Sequence, residues 1–229
     1  SDITINIDKT PHILIGGNTG SGKTILLQCL LWQAIEQADV VYVADFKGGV
    51  DFPRAWQEFA YIITNEQKLL VLLNRLADTL EKRKQLFKEV EAANITEYRQ
   101  KAGDYMQRIV FACDEVAELL DRTGADKERK ELLAQIEARL ALIARQGRAF
   151  GVHLILATQR PDANILPGQI KNNMNIRICG RADTTLSTII IGDGRAAEQI
   201  PHDAQGRFIM EDGTVFQAYY FSDDTISKW

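Results

Sequence analysis

Residues 17–24 read Gly17-Asn18-Thr19-Gly20-Ser21-Gly22-Lys23-Thr24, and this stretch decides the fold. It fits the pattern G-x-x-x-x-G-K-S/T in full. An apolar strand over 12–17 runs into it and an apolar helix over 22–37 runs out, the setting in which the pattern has a mechanical meaning. Glycines let the loop bend until backbone N–H groups converge on phosphate oxygens. The helix that follows turns its positive end toward the same point. The stretch Gly17 to Thr24 is thus predicted to hold the phosphates of a nucleoside triphosphate. Lys23 is expected on the β- and γ-phosphates, and the Thr24 hydroxyl on magnesium. A chance glycine-rich turn is the competing description, and the strand before and helix after argue against it.

Working outward, short apolar runs alternate with helical stretches, the mark of a parallel sheet wrapped by helices. The runs at 40–45, 109–114 and 153–159 are nearly unbroken, as in central strands covered on both faces. Further strands are expected at 176–179, 208–210 and 215–221. The last two flank Glu211-Asp212-Gly213-Thr214, whose Asp-Gly pair predicts a tight antiparallel hairpin at one edge. Helices are expected at 66–92, 94–102 and 127–146. In the first of these, Leu69, Leu72, Leu73, Leu76 and Leu80 form one buried stripe. The charged run beyond Leu80, from Glu81 to Glu91, predicts a solvated helix face. No repeat, low-complexity tract or internal linker interrupts the chain, so residues 1–229 are expected to form a single α/β domain.

The run 109–113 ends in Asp114-Glu115. After such a phosphate loop, the first acid is expected to hold magnesium and the second to orient or deprotonate the attacking water. The competing description is an acid pair capping the next helix. A glutamate directly after the aspartate points to the RecA-like and AAA-like branch of P-loop NTPases, whose rings borrow an arginine from a neighbour. Gln159 closes the run at 153–159, on the rim where ligands sit in open α/β sheets. Its amide is suited to sensing a terminal phosphate or holding a water.

The segment from Arg145 to Pro161, with Gln146-Gly147-Arg148 at its start and Ala157-Thr158-Gln159-Arg160 near its end, resembles the FtsK/SpoIIIE family of ring translocases. Ala44-Asp45-Phe46-Lys47-Gly48-Gly49 and Ile170-Lys171-Asn172-Asn173-Met174-Asn175-Ile176-Arg177-Ile178 resemble two further blocks of that family, in the same order. The resemblance runs from His12 to Phe221. It implies a RecA-like P-loop fold with a mostly parallel sheet, ATP and Mg²⁺ as cofactors, and a homo-oligomeric ring, expected to be a hexamer. It implies Arg177 as the arginine offered in trans, with Arg181 as a second candidate. Where many relatives carry a Ser-Arg pair, this chain has Ser187-Thr188, so that either Arg195 or Arg181 takes that role or the role is absent.

Among the family's cargoes, the Asp-Phe-Lys-Gly-Gly block favours a DNA translocase of conjugative transfer. Chromosome segregation and type VII protein secretion are the alternatives, the last including a regulatory nucleotide-binding module. The expected setting is the cytoplasmic domain of a larger, membrane-anchored bacterial protein that works with other conjugation or secretion components. Composition is compatible with this: 45% hydrophobic, 25% charged and a net charge of −4. That charge speaks against a monomer that coats itself in DNA, and leaves room for a few loops gripping phosphates without regard to sequence. Lys171 is one possible contact, although a solvated lysine is the plainer description. Cys29, Cys113 and Cys179 lie far apart with no C-x-x-C pair, so metal or disulfide use is not expected.

Overall fold

The computed structural model describes residues 3–48, 50–160, 166–222 and 226. In chain order its elements are β1 (His12–Gly16), α1 (Lys23–Glu36), β2 (Val40–Ala44), a 3₁₀ turn (Arg54–Glu58), β3 (Tyr61–Ile63), α2 (Glu66–Glu89) and α3 (Ile95–Ala102). There follow β4 (Ile109–Cys113), α4 (Val116–Leu120), α5 (Lys127–Gln146), β5 (Val152–Thr158), α6 (Gly168–Lys171), β6 (Ile176–Cys179), α7 (Thr184–Ile191), α8 (Arg195–Gln199), β7 (Arg207–Met210) and β8 (Val215–Gln217). The strands form one sheet in the order β3-β2-β4-β5-β1-β6-β7-β8. The first six pair in parallel, while β7 and β8 run antiparallel at the edge. The expected α/β fold with an antiparallel edge hairpin is what the chain adopts.

Period-two alternation sorts each strand's side chains between two cores. In β1, Leu14 joins the cluster under α2, α5 and α7, whereas Ile13 and Ile15 join the cluster under α1. The leucine stripe of α2 is buried as predicted, from Leu69 through Leu80. One member of the charged run departs from expectation. Arg83 is buried, and its guanidinium donates to the carbonyls of Phe150 (2.5 Å) and Gln107 (2.7 Å). A buried cation needs such acceptors, and here they tie α2 to the ends of two strands.

Six short elements escape a reading by pattern: the 3₁₀ turn, β3, α4, α6, α7 and α8. β3 is three residues long with Tyr61 exposed, too short for alternation to register. The sequence of α7, Thr-Thr-Leu-Ser-Thr-Ile-Ile-Ile, is β-branched and strand-like, yet it is helical. Its ends decide the matter. The Asp183 side chain accepts from Leu186 N (2.8 Å), and Gly192 closes the helix at φ 91°. Ile190 packs so closely on β1 that a Cβ at Gly16 would stand 2.3 Å from it. Gly49 and Pro161, read above from sequence, lie outside the described residues. No helix among those described is long and apolar enough to cross a membrane.

His12 and His153 sit side by side on β1 and β5, their rings 6.5 Å apart. Burial pulls their pKa values down to about 3 and about 4, with the neighbouring His153 adding to the effect on His12 and Arg108 to that on His153. A depressed histidine binds protons in the unfolded chain before the folded one. Stability is therefore complete above about pH 6.5 and falls as pH drops from there toward 4. Urea unfolding from pH 7 to 4 should show a loss on the order of 5 kcal/mol. A flat profile down to pH 5 would mean that neither ring is held neutral.

Candidate functional site

In the sheet order β2-β4-β5-β1, four parallel strands stand side by side, and their carboxyl ends release four loops along one rim. From β1 comes the phosphate loop, from β2 Asp45 to Lys47, from β4 Asp114 and Glu115, and from β5 Gln159. A cleft of about 450 Å³ opens there, lined by residues 18–25, Lys47, Asp51, Gln159, Gln205, Gly206, Gln217 and the segment reaching Tyr220.

The loop is bent and braced by backbone bonds. Asn18 N donates to Arg181 O (2.7 Å), Ser21 N to Asn18 O (3.0 Å) and Gly206 N to Ser21 O (2.9 Å). Gly22 has φ 92°, and a Cβ there would stand 2.9 Å from Gly206 N, so no other residue fits. Helices α2, α3, α5 and α7 each begin with an Asn or Asp whose side chain caps a backbone N–H. Helix α1 begins at Gly22 with no side-chain cap. Its first N–H groups are left for a ligand, and the positive helix end favours an anion.

Opposite the loop, Asp114 is buried. Thr24 Oγ1 donates toward both of its oxygens at 3.2 and 3.3 Å. Lys23 Nζ lies 3.7 Å from Oδ1, and Lys47 Nζ lies 2.5 Å from Oδ2. Burial alone would raise the Asp114 pKa, but Lys23 and Lys47 together with the Thr24 hydroxyl hold it below the usual carboxylate range. The hydroxyl and carboxylate expected to share a magnesium ion thus stand together. Among the described residues, no group of three or more His, Cys, Asp or Glu could cage a metal unaided. That suits magnesium, which takes one or two protein oxygens and completes its shell with phosphates and water. The all-oxygen pair Thr24 and Asp114, beside a glycine-lined anion cradle, fits a magnesium–nucleotide ligand.

Glu115 occupies the N-cap position of α4 but makes no capping bond. Its carboxylate instead accepts from Thr158 Oγ1 (2.7 Å) and from Gln159 N (2.9 Å). Burial raises its pKa, and those two hydrogen bonds offset part of the rise. The acid is thereby fixed in place and made a better proton acceptor. The Gln159 side chain turns the other way and accepts from Thr19 Oγ1 (2.9 Å), linking the end of β5 to the phosphate loop.

The arginines singled out from sequence lie outside this arrangement or brace it. Arg177 is mostly buried on β6, donating to Lys171 O (3.0 Å) and Met174 O (3.2 Å), with Glu211 at 3.8 Å. Arg181 props the phosphate loop from within the same chain, donating to Thr19 O (2.7 Å) and to His202 O. Arg195 is held by Asp193 and by Glu211 O. Sequence reasoning gave no role to Lys47 or Asp51, nor to the wall made by Gln205, Gly206 and the exposed Tyr219 and Tyr220. Lys47 had one available signal: it stands three residues past the end of β2, on the ligand rim.

Residues 1–163 match the sequence profile of the FtsK/SpoIIIE family. The DNA translocase FtsK of Helicobacter pylori (strain J99 / ATCC 700824) is 30% identical over 208 residues, 85% of this chain and 23% of that protein. The chain therefore spans about a quarter of the length of such relatives. Among solved structures, the pCW3 conjugation coupling protein TcpA, in a monomer form with ATPγS, superposes with a TM-score of 0.93 at 41% identity. That match covers 100% of this chain and 66% of TcpA. The cytoplasmic domain of the Thermomonospora curvata type VII secretion ATPase EccC gives a TM-score of 0.70 at 27% identity, over 93% of this chain and 26% of that one.

Proposed function

The chain belongs to the FtsK/SpoIIIE family, and on that premise we propose that residues 1–229 are one motor domain of an ATP-driven DNA translocase. The observation that carries the reading is the intact set around Asp114: Thr24 at 3.2 Å, Lys23 at 3.7 Å, and Glu115 beside them, bonded to the end of β5. Nothing in that set is replaced by a residue unable to do the chemistry.

In this reading residues 17–24 bind the phosphates, Lys23 places its charge on the β- and γ-groups, and Thr24 with Asp114 holds magnesium. Magnesium held by these two oxygens would supply positive charge to offset the negative charge that develops on the phosphates. Glu115 accepts the proton of the water whose oxygen bonds to the γ-phosphorus, while the bond from that phosphorus to the bridging oxygen breaks and the nucleoside diphosphate leaves with the electron pair. Thr158 and the Gln159 N–H keep its carboxylate aimed, and the Gln159 amide reports the state of the phosphate loop through Thr19. The catalytic group is completed in a homo-oligomeric ring, which we take to be a hexamer, by an arginine from the neighbour. The family resemblance favours Arg177 for that role over Arg181, and the Arg177 bonds to Lys171 O and Met174 O would have to open to deliver it.

The likeness to TcpA, a conjugation coupling protein, supports a conjugative mobile element as the setting; DNA gripped irrespective of sequence and a membrane anchor in the larger protein are our extension from the family resemblance. The likeness to EccC supports a second reading, a type VII secretion ATPase that moves protein. The two differ in what accelerates turnover. A DNA motor should hydrolyse ATP severalfold faster with double-stranded DNA, and the gain should fade between about 50 and 200 mM salt as counterions compete for the phosphates. A steady-state assay with Lys23→Ala as the blank reads this directly. Turnover indifferent to DNA at every salt concentration would move the secretion reading ahead.

A further inference from the structure

Lys47 makes the closest charged contact in the cleft, and the catalytic scheme above has no use for it. Its ammonium lies between two carboxylates, 2.5 Å from Asp114 Oδ2 and 3.1 Å from Asp51 Oδ2. The Thr24 hydroxyl stands 3.2 and 3.3 Å from the two oxygens of the same Asp114 carboxylate. Two carboxylates and a hydroxyl are the oxygen donors that a hard divalent cation selects. Here a tethered monovalent cation is among them.

The surroundings hold the acids still and leave the lysine able to move. Gln28 Nε2 donates to Asp51 O at 2.6 Å, fastening Asp51 to α1. Asp114 is fixed at the end of β4. The Lys47 backbone N–H is anchored by Asp45 Oδ1 at 2.9 Å, but its side chain is 36% exposed. Gly48 follows at φ 79° with nothing within 4 Å of where a Cβ would stand. The ammonium can leave by rotation of its own four-carbon stem, without disturbing the strand.

We infer that Lys47 is a built-in counter-ion for the magnesium ligand Asp114: it holds the carboxylate when no nucleotide is bound and yields it to the metal that arrives with the nucleotide. The inference rests on the reading of this cleft as a magnesium–nucleotide site. It assigns Lys47 a positioning role with two consequences. Free divalent cation is kept off the nucleotide-free protein, because a unit positive charge already occupies the carboxylate. Once displaced, the ammonium remains in the cleft that holds the phosphate loop, where its charge favours the polyphosphate.

The test uses Mn²⁺ as the probe, counted by electron paramagnetic resonance on the nucleotide-free chain. The wild type should bind Mn²⁺ weakly, and ATPγS should tighten it strongly. Lys47→Met should tighten Mn²⁺ without nucleotide by at least ~10-fold, since a close unit charge of the same sign has been removed. With Mn²⁺ affinity in the ATPγS complex little changed, because Lys47 has already left the carboxylate there, the ATPγS effect on Mn²⁺ should shrink by about that factor, and by linkage the Mn²⁺ effect on ATPγS should shrink equally. Lys47→Arg should behave as wild type, and Lys47→Met with Asp114→Asn should lose the gain. A thermal melt on each variant keeps misfolding apart from a change in affinity. Unchanged Mn²⁺ affinity in a folded Lys47→Met would overturn the inference while leaving the nucleotide site in place. Failure of fluorescent ATP to bind the wild type with magnesium would instead remove the underlying reading.

Discussion

Glu115→Gln is expected to lower ATP turnover by ~10²–10⁴-fold, the usual contribution of a positioned general base, with nucleotide affinity little changed. The replacement keeps the shape of the side chain. A glutamine oxygen can still accept from Gln159 N, and the Thr158 hydroxyl can rotate to accept from the new amide. Lys23, Thr24 and Asp114 stay in place, since their mutual contacts do not pass through Glu115. Single-turnover hydrolysis and fluorescent-nucleotide binding, measured on the same preparation, separate the two effects. The pH dependence adds a signature. Burial places the Glu115 pKa above that of an ordinary glutamate, so the base form is lost earlier on acidification. The wild-type rate should rise with pH through that shifted value and level off above it, and the limb should be missing in Glu115→Gln. A variant that turns over at the wild-type rate would assign water activation to another group.

The second large effect concerns assembly. Turnover per chain should climb steeply with protein concentration, by up to ~10³–10⁵-fold where a neighbour's arginine completes the site. The arginines around the cleft are engaged within their own chain, Arg181 with the phosphate loop and His202, Arg177 and Arg195 farther along the sheet. A mixing experiment identifies the donor. Arg177→Ala and Glu115→Gln should each be nearly inactive alone, yet recover part of the rate together. In the mixture some interfaces join an intact Glu115 to an intact Arg177. No recovery, with Arg177→Ala active alone, would return Arg177 to its visible role of tying α6 to β6.

The parts of this site that the sequence reveals are those that chemistry forces into a pattern. Glycines at fixed offsets before Lys23-Thr24 are required by backbone geometry at phosphates. Acids at Asp114 and Glu115 stand out because two carboxylates close a buried apolar strand after a phosphate loop, where a helix cap is the weaker description. Lys47 was quoted within a family block and given no role, since its function comes from meeting Asp114, 67 residues away. The Gln205–Gly206 turn was missed for a similar reason, as it acts through a backbone bond to Ser21 that any side chain would leave unannounced. The helix α7 defeated pattern reading because its end caps and its packing on Gly16 outweigh a β-branched composition. Arg83 defeated it because charge predicts solvent, and only the fold supplies three strand-end carbonyls within reach.

The bond from Gly206 to Ser21 also bears on inheritance. The match to the family's profile covers residues 1–163, whereas one wall of the cleft is supplied by Gln205, Gly206 and residues 217–220. A gene fragment trimmed to the recognisable signature would encode a cradle with one side missing. The smallest piece of the chain that carries the whole lining of the cleft runs on to Tyr220.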